Sequence, residues 1–105
     1  MATVTISARS GGVLNTAVGS FTSDNAAQTL TLGFKPNYIK VINETDTIVW
    51  EAFSNSTATK VLKITGVPAV TIDTGTAILI NSDGTVTLSA TLVGNAKVIT
   101  FFATV

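Results

Sequence analysis

The chain has 105 residues, 6 basic and 6 acidic, with neither Cys nor His. That length fits one domain able to bury a core without disulfide staples. The missing thiols and imidazoles exclude thiol catalysis, thiolate metal sites, and the commonest general base and transition-metal ligand, while a formal net charge of zero leaves no electrostatic footprint for nucleic acid or an anionic membrane.

Charged residues make up 11% of the chain, against about 25% in ordinary soluble domains. The surface must therefore be covered by Thr, Ser, Asn and apolar groups. Either this is a Thr-rich neutral β protein, or it is a protein that spends its life packed against partners. The second reading is favoured, because depleted charge marks the cores of interfaces. The opening Met1-Ala2-Thr3-Val4-Thr5-Ile6 lacks the basic region and apolar run of a signal peptide. No apolar stretch approaches bilayer-spanning length. The expected course is synthesis in the cytoplasm followed by assembly into something larger.

With 19 Thr, 12 Val and 9 Ile, the chain is rich in β-branched residues, which favour strands over helices. Apolar residues recur at period two almost throughout. Thr3 to Ala8 alternates Val4 and Ile6 with hydroxyl residues, and Gly11-Gly12 then interrupts the chain. Residues 1–12 could also serve as an N-terminal arm that pairs with a neighbouring subunit. Val13 to Phe21 is a weaker strand of small residues. Asp24 to Gln28 is the one helix-tolerant place, with Ser23 or Asp24 as cap.

Gln28 to Gly33 alternates Leu30 and Leu32 with Thr29 and Thr31, and Pro36 fixes φ for the turn that follows. Tyr38 to Asn43 places Ile39 and Val41 on one face. Asn43 to Asp46 is a polar turn, and Thr47 to Phe53 the next strand. Lys60 to Thr65 is expected to point Leu62 and Ile64 inward and Lys63 outward. Val70 to Ile72 and Ala77 to Asn81 are short strands. Asp83-Gly84 predicts a hairpin with a primed two-residue turn, both central residues at positive φ. Gly94 to Ala96 turns the chain into Lys97 to Val105. Both faces of that last strand are largely apolar, so both are expected to be covered.

Eight to ten short strands at this spacing predict an all-β single domain over residues 1–105. The form expected is an antiparallel β-sandwich, jelly-roll-like or barrel-like. The predicted core is Ile39, Val41, Trp50, Leu62, Ile64, Ile80, Val86, Leu88, Ile99 and Phe101.

Three constellations invite a chemical reading, and each has a plainer one. Glu44, Asp46 and Glu51 could supply the paired carboxylates of a glycan-cleaving enzyme, but turn chemistry accounts for Asn43 to Asp46. Asp73, Asn81 and Asp83 could offer oxygens to Ca²⁺, yet they match no calcium-loop pattern. Phe34, Tyr38, Trp50 and Phe53 could stack on sugars, although a lone Trp is more often core. The expectation is no enzyme, no catalytic or metal residue and no cofactor.

One pattern goes further. Gly33-Phe34-Lys35-Pro36-Asn37-Tyr38-Ile39-Lys40-Val41-Ile42-Asn43-Glu44-Thr45-Asp46, then Val49-Trp50-Glu51, resembles small virion structural proteins of tailed bacteriophages. The closing stretch from Gly75 to Val105 resembles them too, with an apolar strand, Ser82-Asp83-Gly84, Val86-Thr87-Leu88 and a last aromatic strand. The resemblance implies a virion protein at the capsid surface, decorating or cementing the shell. Its partners would be the major capsid protein shell and further copies of itself, a trimer being favoured because shells offer threefold sites. It implies no nucleic-acid or membrane partner. The alternative outside that class is a carbohydrate-binding or fibre-associated module.

Overall fold

A computed structural model describes residues 5–10, 15–54, 60–65 and 69–105 of the chain. Among these residues, ten strands and one short helix follow in order: β1 (Thr5–Ser10), β2 (Thr16–Asp24), β3 (Gln28–Thr31), β4 (Tyr38–Asn43), β5 (Ile48–Phe53), β6 (Val61–Thr65), β7 (Ala69–Asp73), β8 (Ile78–Ile80), β9 (Thr85–Leu88), α1 (Ala90–Val93) and β10 (Asn95–Thr104). They form a seven-stranded sheet, β1-β2-β10-β4-β5-β6-β7, and a three-stranded sheet, β3-β9-β8. Every pairing is antiparallel.

The fold is thus the expected all-β sandwich, and it is not closed into a barrel. Its seven-plus-three division comes from the run β4 to β7, which adds successive hairpins to one sheet instead of dividing them between two. Thr5–Ser10, within the segment expected as an arm, lies along the chain's own β2 with a register shift between Ile6 and Ala8.

The small sheet lies over the middle of the large one. Leu30, Ile78, Val86 and Leu88 meet Ala17 and Phe21 of β2, Ile39 and Val41 of β4, Trp50 and Ala52 of β5, and Ile99, Phe101 and Ala103 of β10. Seven of the ten predicted core residues are buried: Ile39, Val41, Trp50, Val86, Leu88, Ile99 and Phe101. Ile80 packs at the margin.

Leu62 and Ile64 are a correction. The register Trp50↔Lys63 sets Lys63 on the inward face beside Trp50, so Leu62 and Ile64 face outward, half-buried. Inward burial falls on Val61 instead. The Lys63 ammonium sits 4.8 Å from the Trp50 ring centre, where its charge meets the ring's negative face.

Three turn details also differ from expectation. The helix forms at Ala90–Val93, with the Ser89 hydroxyl accepting from the Leu92 amide at 3.1 Å. The chain at Asp24 to Gln28 instead bends through Asn25 at φ 64°. The β8–β9 hairpin exists, but of Asp83 and Gly84 only the glycine has positive φ, 86°. Asn81 N donates to Thr85 O at 2.9 Å, which closes a three-residue loop, Ser82-Asp83-Gly84, of the type that ends in a left-handed glycine. Asp83 stays out of that region because its carboxylate accepts from both the amide and the hydroxyl of Thr85.

Candidate functional site

The residues from Gly33 to Asp46 serve the scaffold. Gly33, at φ 83°, starts the crossing from the small sheet to the large one. The amides of Leu32 and Gly33 both donate to Gly84 O, at 3.0 and 3.2 Å. Pro36 is fully buried and Phe34 packs against the core. Asn37 joins three strand ends: its amide donates to Thr104 O, and its carbonyl and side-chain oxygens accept from the amide and hydroxyl of Ser54. Asn43, buried, bonds the amide and carboxylate of Asp46 through its side chain. Asp46 in turn pairs with Lys97 at 3.1 Å, and Thr45 accepts from the Val98 amide.

The acidic candidates are therefore engaged locally. Glu44 accepts from the Thr100 hydroxyl, and Glu51 accepts from the Tyr38 hydroxyl. Burial, followed by that bond and the nearby carboxylate charge, pushes the Tyr38 phenol up to about 12. Glu51 stands opposite Lys40 on the outer sheet face, and Glu44 follows the end of β4.

Asp73 accepts from the Gly75 amide, and Asn81 donates to the hydroxyls of Thr85 and Thr87. Bonds from Thr85 hold the Asp83 carboxyl below the usual carboxylate range. Among the described residues no cluster of three or more potential ligands could hold a metal ion. Trp50 is 2% exposed and unavailable as a stacking platform. Of the aromatic group only Phe53 is well exposed, at 52%. It leans on Tyr38 with ring centres 5.0 Å apart.

What distinguishes the surface is the outer face of the large sheet. Its cross-strand rows follow from the registers. One runs Val18, Phe102, Lys40, Glu51, Leu62, Ile72, and the next Ser20, Thr100, Ile42, Val49, Ile64, Val70. Val18, Phe53, Val70, Ile72, Val98 and Phe102 on this face are all exposed. Half-buried Ile42, Val49, Leu62 and Ile64 lie between them, and Lys40 and Glu51 form a charged pair in the middle of the first row, so the face is mostly apolar with one polar break. The outward side of β10 was expected to be covered. Only its inward residues, Ile99, Phe101 and Ala103, are buried, while Val98 and Phe102 are exposed.

Sequence reasoning read the second apolar face of β10 but missed its continuation across the sheet, because it assigned Leu62 and Ile64 of β6 to the core. The signal was present in the surplus: two apolar faces on a strand that has a partner sheet on only one side. No family model matches the chain, and neither does any curated protein or solved structure.

Proposed function

We propose that this chain is a bacteriophage virion structural protein that decorates or cements the outer capsid shell, docking through the outer face of its seven-stranded sheet. The observation that carries the reading is that face: a broad apolar surface on a domain with zero net charge and 11% charged residues. Covering it removes from water what a monomer would leave exposed. The phage resemblance of residues 33–51 and 75–105 supplies the kind of assembly.

A standard stable interface takes roughly 800 Å² per partner, a large share of the surface of so small a domain. A lone capsid subunit would hold the domain weakly. An assembled shell presents several subunits at one site and adds avidity without new contacts. Binding should therefore select shells over free subunits and depend little on salt, since apolar burial is not screened. Co-sedimentation of the purified protein with undecorated phage shells and with unassembled capsid subunits, at low and high salt, tests this. Pelleting with shells at both salt levels is expected. Failure to pellet, or loss of binding at moderate salt, overturns it.

A second reading, glycan binding by a fibre-associated module, is supported by exposed Phe53 beside Tyr38, with Glu51 as a nearby acceptor. Glycan binding by the unaltered protein that is lost in Phe53→Ala, with no pelleting on undecorated shells, would favour this reading over shell docking.

A further inference from the structure

A sandwich of this kind has four sheet edges, and an unpaired edge is a template for another strand unless something blocks it. Three of the four are blunted. β1 carries the register shift between Ile6 and Ala8. β3 has four residues and β8 only three. The fourth, β7, is different. It runs unbroken from Ala69 to Asp73 against β6, and its sequence Ala-Val-Thr-Ile-Asp has no Pro, no Gly and no charge before its last residue. Among the described residues no loop backbone hydrogen bond reaches positions 69–73. Val70 and Ile72 are 68% and 56% exposed, the highest values among the large hydrophobics.

We infer that β7 is a self-pairing edge, and that two copies of this chain join antiparallel along it about a two-fold axis through Thr71. The sequence is self-complementary in that register. Val70 meets the partner's Ile72 and Ile72 the partner's Val70, both on the apolar outer face. Thr71 meets Thr71, and Asp73 meets Ala69 and not a second Asp. β-Branched and Thr–Thr cross-strand pairs are favourable, and like charges directly opposite are not. A slip of one residue would put the two outer faces on opposite sides of the joined sheet. A slip of two leaves fewer of the five positions paired. The same register makes the two outer faces one continuous apolar surface, which raises the area a shell can cover without changing the fold. Self-pairing does not depend on the shell-binding reading. It replaces the threefold expected from capsid symmetry with a two-fold.

The chain has no Cys, so one introduced thiol reports one position. Sedimentation of the whole protein should show a concentration-dependent monomer–dimer equilibrium. Thr71→Cys should form a disulfide-linked dimer many-fold faster than Thr22→Cys, an exposed control on β2. The double variant Val70→Lys with Ile72→Lys should be monomeric with unchanged circular dichroism, since lysine blocks edges and both positions are already largely in water. A monomer at the highest soluble concentration, a trimer, equal cross-linking at the two positions, or a dimer that survives both lysines would overturn the inference. Shell co-sedimentation is scored separately. A dimer that ignores shells refutes the function and keeps the edge, and a monomer that binds shells does the reverse.

Discussion

Tyr38 is the only tyrosine in the chain, so its titration can be read without ambiguity. An acid held neutral by burial and by a bond to the Glu51 carboxylate ionises late, here near 12 against an ordinary 10.0. In the unfolded chain it ionises first. Its contribution to stability is therefore full below pH 10 and is lost as pH rises through the folded value. Ultraviolet absorbance of the phenolate should show a midpoint near 12, and Glu51→Gln should move it down by removing the charge. An unchanged midpoint in the variant would remove Glu51 as a cause. The core supplies a second check at this scale. Leu88 and Ile99 are fully buried, each 0% exposed, so truncation of either to Ala should cost about 2–5 kcal/mol in denaturant unfolding. A loss well under 1 kcal/mol would show that the site is not closed.

Among the elements, the β8–β9 loop carries the sharpest constraint. Gly84 has φ 86°, and a Cβ there would lie 3.1 Å from Phe34 N and 3.2 Å from Gly33 C. Gly84→Ala is disfavoured twice, by backbone conformation and by contact with the crossing strand, so it should destabilise by more than about 1 kcal/mol. A neutral result in thermal unfolding would contradict the three-residue loop. The sequence was informative where chemistry is local. Asp83-Gly84 located this hairpin, Asn43 to Asp46 its turn, and period-two patterning eight of the strands. It was uninformative where a decision depends on the partner sheet. In Val61-Leu62-Lys63-Ile64-Thr65 three apolar residues occupy both parities, and only the register against Trp50 selects Val61 and Lys63 as inward. The helix at Ala90–Val93 had a readable signal, Ser89 before it and Gly94 after it, obscured by the β-branched residues within.

For the whole molecule, a large sheet is half-served by a small one. The core takes residues from β2, β10, β4, β5 and Val61 of β6, and none from β7, so the larger sheet extends beyond its cover on one side and is bare on the other. The stretch from Gly33 to Glu51 supplies turns, crossings and inward residues, while the outer face is set by the alternate positions between them. This division explains how such a stretch can mark a scaffold without marking a site. The central claim is that the bare face binds an assembled shell. Co-sedimentation of Phe53→Asp with Phe102→Asp against undecorated phage shells tests it most directly, with Thr29→Asp combined with Thr31→Asp, both exposed on β3 of the small sheet, as the matched charge control. The account predicts that the face variant stays in the supernatant while the control pellets like the unaltered protein. Equal pelleting of all three, or loss confined to the β3 control, would contradict it.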